Sequence, residues 1–324
     1  MRDQAFEQPR LSDIFKTIIF VTLALILPGL KWTIFGWLHT FLPLLSFFVF
    51  SKYGEYSGRK LLLTSAVIAC VVYLVAGSID LFVFAFILLL SGYVLFRAAQ
   101  AGNSPALSGG KCAVTLTAGW LAIIFLSSIG HEANGYVQLI RALDQGVTEA
   151  QVYYRQSEDM SAETLAVLET TLYQMKMIVP IIMPAILGSM ILIITWITMV
   201  LGNMLVLKNS GYPCWPKYQM WALPDRLIWI LIAAAAFALL PLGLVRQVGI
   251  NLLILLSIIY SFQGLAVAVF FMTKWNIPLL LRSFFYVMLI FQSFGTVLLL
   301  ITGIADIWFD FRKIRLKVVD ETSE

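Results

Sequence analysis

Charged residues are scarce in this chain: Asp, Glu, Lys and Arg make up 12% of its 324 residues, whereas hydrophobic residues make up 60%. An ordinary soluble domain carries about 25% charged residues, so a soluble core with this composition is excluded. Stretches of about 20 apolar residues recur instead, and each is long enough to cross a hydrocarbon layer roughly 30 Å thick. The sequence therefore predicts an all-α, polytopic transmembrane protein.

Metal-binding and catalytic patterns are also missing. The chain has two histidines and three cysteines, and the cysteines share no metal-ligand spacing. There is no HExxH, no phosphate-binding GxxxxGK, no nucleophile-base-acid arrangement and no carboxylate pair deep in an apolar run. The net charge of +4 is too small and too scattered for nucleic-acid binding. We expect no enzyme activity, no metal, no cofactor and no nucleic-acid partner.

The apolar runs indicate how many times the chain crosses the bilayer. Nine candidate spans lie near residues 17–30, 33–50, 61–79, 81–96, 112–130, 177–206, 227–244, 249–272 and 279–304. We predict a single integral membrane domain over residues 1–324, a helical bundle of about eight spans, eight or nine in number.

Lysines and arginines in the short connections indicate orientation, since cytoplasmic loops carry an excess of both. Three connections are marked as cytoplasmic in this way, by Lys52, Arg59 and Lys60, by Arg97 and Lys111, and by Lys208, Lys217 and Arg226. The connection 132–175 is mostly acidic, and apolar residues recur at helical spacing after Ser161, a suitable N-cap. We predict an extracytoplasmic amphipathic helical insertion there, with both chain ends cytoplasmic in a multi-pass protein.

The segment GIADIWFDFRK at 303–313 follows a strongly apolar run. Aromatic rings suit the headgroup layer and basic residues suit the anionic lipid surface, so this segment is typical of a helix leaving a membrane. We interpret five residues as an interfacial anchor: Asp306, Trp308, Asp310, Arg312 and Lys313. Asp306 also permits a conformational or ligand-binding role, because its i,i+4 spacing from Asp310 is unfavourable unless a partner intervenes.

Polar side chains inside apolar spans are costly, so each one is a candidate for function. Asn203 is one example, and the residues of the C-terminal third that could bind a ligand are Asn251, Tyr260, Gln263 and Gln292. Small residues also recur at helical spacing in the same span, at Ser257, Ser261, Gly264 and Ala268. Such a row favours close helix packing, for which Ala233 to Ala236 offer a partner surface.

The connection NSGYPCWPKYQMWALPDR at 209–226 is rich in aromatic residues and proline. Its aromatics are spaced by three, at Tyr212, Trp215, Tyr218 and Trp221. Two interpretations are open: an aromatic belt at the lipid interface, which we favour, or a platform on which a lipid or a partner docks.

The C-terminal third resembles a known family in NLLILLSIIYSFQGLAVAVFFMTKW (251–275), WALPDRLIWILIAA (221–234) and GIADIWFDFRK (303–313). These segments resemble the YybS-like family of bacterial membrane proteins. That family is similar in plan to the substrate-binding S components of energy-coupling-factor transporters. The resemblance implies a protein of the bacterial inner membrane with a pocket for a small molecule.

Two functions follow as hypotheses. The first is a small-molecule-binding component of a transporter, with a pocket near the four polar residues of the C-terminal third. The second is a structural or scaffold protein that binds other membrane proteins through its small-residue seams. In either case the lipid bilayer is a partner, together with a small-molecule ligand or another membrane protein.

Overall fold

A computed structural model describes residues 11–128, 135–156 and 161–314. The described chain contains α-helices and short 3₁₀ turns, and no strand occurs in those three ranges. The helices are α1 (Leu11–Leu30), α2 (Trp32–Phe35), α3 (Leu42–Val75), α4 (Ile79–Gln100), α5 (Pro105–Ser127), α6 (Gly135–Arg155), α7 (Ala162–Ser210), α8 (Leu227–Leu239), α9 (Gly243–Lys274), α10 (Leu279–Phe291) and α11 (Ser293–Phe309).

Helix α3 is broken at Gly54, whose φ of 77° and ψ of 172° are accessible to glycine and costly for other residues. Gly58 lies against the backbone of Phe50. In one continuous helix these two residues would be about 12 Å apart along the axis, at 1.5 Å per residue. The chain therefore turns back at Gly54, and the two arms of this turn lie largely in the predicted spans 33–50 and 61–79, of which residues 33–41 form α2 and a 3₁₀ turn.

Helices α1, α3, α4, α5 and α7 form one core, which also includes Trp215. Buried polar side chains tie neighbouring helices together, because the Tyr73 hydroxyl donates to the Leu25 carbonyl at 2.7 Å and Ser46 Oγ donates to the Leu89 carbonyl at 2.7 Å. Gly92 on α4 lies so close to the Pro43 carbonyl that a side chain there would overlap it. Inside a bilayer the hydrophobic effect does not drive helices together, so helices associate there through close backbone contact at small residues.

Helix α6 packs against the N-terminal part of α7 through charged pairs. Arg155 bonds Glu169 at 2.6 Å and Lys176 bonds Asp144 at 2.9 Å. Ser161 caps α7, since its hydroxyl accepts the Thr164 N–H at 3.2 Å, which confirms the predicted cap. Helix α6 and the N-terminal part of α7 lie within the predicted insertion 132–175; residues 129–134 and 157–160 are outside the described part.

Asn251 on α9 packs against α7 beside its two prolines, Pro180 and Pro184. In a regular helix the Ala185 N–H faces the Ile181 carbonyl, four residues earlier. The Asn251 amide bonds both groups: its oxygen accepts from Ala185 N and its nitrogen donates to Ile181 O, each at 2.8 Å. Because Pro184 supplies no backbone N–H, this side chain supports the helix where its own hydrogen-bond ladder is weakest.

Helices α9 and α11 make the closest backbone contact of the C-terminal part. A methyl group added to Gly264 would overlap the Leu299 carbonyl, and one added to Gly303 would overlap the Tyr260 carbonyl. The predicted small-residue seam therefore packs on α11 at Gly264. The alanine run of α8 meets α9 elsewhere, since Gly249 lies against Ala234 and Ala238.

Six helical runs of the described residues are long and apolar enough to cross a membrane, and a seventh is added if the bent pair α10–α11 is one span. One of the six, Trp32–Val75, contains both arms of α3, and α8 is apolar but has 13 residues. The predicted all-α polytopic bundle is confirmed. The predicted number of eight or nine spans stays a prediction.

Candidate functional site

A cavity of about 430 Å³ lies among α5, α7, α9 and the connection between α7 and α8. We call that connection, residues 211–226, the aromatic loop. The first turns of α5 form one wall of the cavity, with Gly109 and Gly110, while Thr195 and Trp196 of α7 form another. None of the described residues that line the cavity carries a charge.

Aromatic side chains form a continuous wall. Trp196 stacks on Phe262 of α9, with ring centroids 4.9 Å apart and planes 6° apart, and meets Tyr218 of the aromatic loop edge to face at 5.7 Å. Trp221 continues the row, 5.3 Å from Tyr218. Aromatic pairs in these geometries are favourable beyond the area that they bury. They give the cavity a rigid, apolar lining.

The start of the aromatic loop is held by Asn203 of α7. Its amide nitrogen donates to the Trp215 carbonyl at 2.9 Å, and its amide oxygen accepts the Trp215 N–H at 3.0 Å. The Trp215 indole N–H donates to Ser108 Oγ of α5 at 3.2 Å. Trp215 is buried, so the favoured interpretation of this residue as part of a lipid-facing aromatic belt is wrong, whereas Tyr212 is exposed.

The end of the aromatic loop is held by Gln263 of α9 and Arg312 of the segment after α11, which Asp306 of α11 joins to each other. Gln263 accepts the Leu223 N–H at 3.0 Å and donates to Asp306 Oδ2 at 3.0 Å. Arg312 bonds the same oxygen at 2.6 Å. Its other terminal nitrogen donates to the carbonyls of Gln219 and Trp221, at 2.9 and 2.8 Å. We call Gln263, Asp306 and Arg312 the buried triad.

Burial around the loop also affects its titratable side chains. The pKa of the Cys214 thiol is raised to about 11 because the thiol is removed from water. The pKa of the Tyr218 hydroxyl is raised for the same reason, and this hydroxyl donates to the Phe262 carbonyl at 2.5 Å. Both groups are therefore neutral at physiological pH.

The indole N–H of Trp196 is buried. It faces the hydroxyl of Tyr218, which can accept a hydrogen bond from it. The cavity wall therefore offers a ligand aromatic surface, together with the amide of Gln263.

The four predicted ligand residues lie in different places. Gln263 lines the cavity. Asn251 bonds α7, and Tyr260 is fully buried at the contact with Gly303 of α11. Gln292 is exposed at the junction of α10 and α11. It lies in a smaller groove of about 170 Å³, which Gly264 and Ala268 also line.

The predicted packing residues and the predicted anchor residues also lie in different environments. Ser257 and Ser261 bond carbonyls of their own helix, at Leu253 and Ser257. Trp308 and Lys313 are exposed, and Asp310 ends α11 in a left-handed conformation and accepts the Ile314 N–H at 3.1 Å. Asp306 and Arg312 were predicted at the interface but have side chains only 4% and 0% exposed, because they neutralise each other inside the protein.

The sequence alone missed several residues of the site. Trp196 and Phe262 are single aromatics within long apolar runs, where nothing distinguishes them from lipid-facing residues. Gly110 leaves open space at the start of α5 without any recognised motif, and Gly109 beside it lies against Met199. The spacing of aromatics by three in the loop was the available signal, and it did not reveal that the loop folds inward.

Comparison with known proteins gives one match. The model of a family described as "Predicted membrane protein (DUF2232)" matches residues 15–307, which is most of the chain. No curated protein and no solved structure matches it.

Proposed function

The chain belongs to the DUF2232 family of predicted membrane proteins, and on that premise we propose that it binds a small molecule within the bilayer as the substrate-binding component of a transporter. The observation that carries this proposal is the cavity of about 430 Å³ beneath the aromatic loop. Its volume lies within the roughly 300–1,000 Å³ of small-molecule sites, which are mostly apolar with a few polar groups.

The lining favours a neutral ligand that is largely apolar or aromatic. A charged ligand would lose its hydration without gaining an opposite charge among the described lining residues, and that loss is costly in an apolar site. A flat ring would find stacking partners in Trp196, Tyr218 and Trp221. Gln263 lines the cavity and supplies a polar contact that would fix its orientation.

The loop and the buried triad suit a site that must open and close. Connections that cover a binding site often control entry of the ligand. Here the aromatic loop is held by side chains from α7, α9 and the segment after α11, so release of these contacts would expose the cavity. A binding role needs no catalytic group, and we propose binding without catalysis.

The resemblance of the sequence to the YybS-like family also supports a substrate-binding role. The three segments that resemble the YybS-like family include the buried triad, of which Gln263 and Arg312 bond the aromatic loop. The similarity of that family to S components of energy-coupling-factor transporters favours a bacterial inner-membrane location. The basic residues Lys208, Lys217 and Arg226 favour a cytoplasmic loop, and Arg312 bonds that loop, so we propose a cytoplasmic C-terminal end as well.

The alternative, a scaffold that binds other membrane proteins through its small-residue seam, has less support. Gly264 is covered by Leu299 within the same chain. A seam that is already filled at this position is not available to a partner helix there.

Filling the cavity should abolish binding. A Cβ built on Gly110 meets no atom within 4 Å, and Gly110 lines the cavity, so Gly110→Phe places a ring in the binding space without overlapping the backbone. We expect native mass spectrometry of the wild-type protein to detect a copurified neutral small molecule. In Gly110→Phe the bound fraction should fall at least about tenfold, which corresponds to about 1.4 kcal/mol.

Gly146→Phe is the matched control, because Gly146 is also helical and open but lies on α6, away from the cavity. It should keep the bound molecule. Equal retention in Gly110→Phe and the wild-type protein, or equal loss in both variants, would contradict the proposed site.

A further inference from the structure

A second site lies on the outside of the first five helices, where Glu55 gathers two arginines. Arg59 Nη2 bonds Glu55 Oε1 at 2.9 Å, and Arg97 Nη1 bonds Glu55 Oε2 at 2.7 Å. The Tyr93 hydroxyl donates to Oε1 at 2.7 Å. The break at Gly54 places Glu55 at the turn of α3, beside the C-terminal end of α4, which is why residues 42 positions apart meet.

This cluster has an excess of positive charge. Two guanidinium groups share one carboxylate, and each arginine uses one of its five N–H donors on it. Their side chains are 58% and 56% exposed. The unused donors can therefore bind an anion from the outside, and arginine binds phosphate with paired hydrogen bonds.

An apolar groove of about 310 Å³ begins at the same cluster and runs between α3 and α4. Arg59 and Tyr93 line its charged end, and Leu62, Leu63, Ala66 and Leu90 line the rest. On α3, Leu62, Leu63 and Ala66 follow Arg59 at i+3, i+4 and i+7, so they share one helix face with it. From Arg59 to Ala66 the groove extends about 10 Å along the helix, at 1.5 Å per residue.

We propose that this groove binds one anionic phospholipid, with the phosphate on Arg59 and Arg97 and an acyl chain along α3 and α4. The combination of a basic end and an apolar path matches the two parts of such a lipid. The face is also the one predicted to be cytoplasmic, where anionic lipids attract basic residues. This site is separate from the cavity beneath the aromatic loop, so it does not depend on the proposed transport role.

The test compares retention of two lipids that differ in charge. The full-length protein is placed in nanodiscs of equal parts phosphatidylglycerol and phosphatidylcholine with identical chains, extracted in mild detergent and examined by native mass spectrometry. We expect the wild-type protein to retain one phosphatidylglycerol molecule in preference to phosphatidylcholine. In Arg59→Gln/Arg97→Gln this preference should fall about tenfold, as expected for the loss of charge-assisted hydrogen bonds.

Two further variants separate a built site from general attraction. Leu63→Trp keeps every charge but blocks the groove at an exposed position, and it should lose the retained lipid. Lys111→Gln removes a positive charge from an exposed residue at the start of α5, outside the groove, and it should behave as the wild type. Three results would overturn the proposal: equal retention of both lipids, an equal loss in Lys111→Gln, or a second copy of the chain bound in place of lipid.

Discussion

Arg312→Met is expected to destabilise the protein by about 3–5 kcal/mol, the cost of leaving a buried charge without its partner. Arg312 is the cationic partner of Asp306, and both side chains are buried. The substitution also removes the donor to the Gln219 and Trp221 carbonyls, which hold the aromatic loop. Thermal unfolding in detergent, followed by circular dichroism, measures the loss.

The controls for this prediction come from the same segment. Lys313→Met removes an adjacent but exposed positive charge and should change the stability by less than about 1 kcal/mol. Asp306→Leu/Arg312→Met removes both charges and should be more stable than Arg312→Met, since replacing a buried pair with apolar residues is far less costly than breaking it. Wild-type stability in Arg312→Met would show that the pair is not buried.

Cys214 provides a second readout of the same contact. Because burial raises its pKa to about 11, and the thiolate is the reactive form, maleimide should modify it slowly at neutral pH. If Arg312 holds the loop, Arg312→Met should increase modification of Cys214, measured by peptide mass spectrometry relative to Cys70. An unchanged ratio would mean that the loop stays in place without the arginine.

Gly264→Ala is expected to destabilise the protein by about 1–3 kcal/mol, the usual cost of overpacking. The added methyl group would overlap the Leu299 carbonyl, which belongs to a helix backbone and cannot move aside as a flexible side chain can. The shift in unfolding temperature, measured as for Arg312→Met, tests this expectation. Gly303→Ala should act in the same direction, because its methyl group would overlap the Tyr260 carbonyl.

The control for the contact between α9 and α11 is a substitution that should stabilise the protein. Gly146 is helical and has no neighbour within 4 Å of an added Cβ, so Gly146→Ala should stabilise by about 0.5–1 kcal/mol through helix propensity alone. If Gly264→Ala were stabilising like Gly146→Ala, α9 and α11 would not be in close contact.

Composition and periodicity predicted the fold class because they report directly on the solvent around the chain. Apolar runs of span length require helices in lipid, and the Ser161 cap follows from local chemistry. The number of spans was harder to predict, since α8 has 13 residues and the run 279–304 is divided into the bent pair α10 and α11. Hydropathy does not register a bend inside an apolar run, whereas it did separate the two arms of α3 on either side of Gly54.

The polar residues inside the spans were identified correctly as unusual, but their roles depend on tertiary contacts. Asn203, Asn251 and Gln263 each bond backbone groups of irregular or proline-containing segments. In lipid such groups must be satisfied by the protein itself. Asp306 was flagged by its unfavourable spacing from Asp310, yet the sequence could not show that Arg312, six residues later, turns back to neutralise it.

An experimental map of the wild-type protein, purified gently and held in lipid nanodiscs, tests the central claim most directly. We predict density for a small, uncharged molecule between α5 and the aromatic loop, in contact with Trp196 and Gln263. A cavity filled by the protein's own side chains, or a loop that lies on the lipid surface with Trp215 exposed, would contradict the proposed binding site.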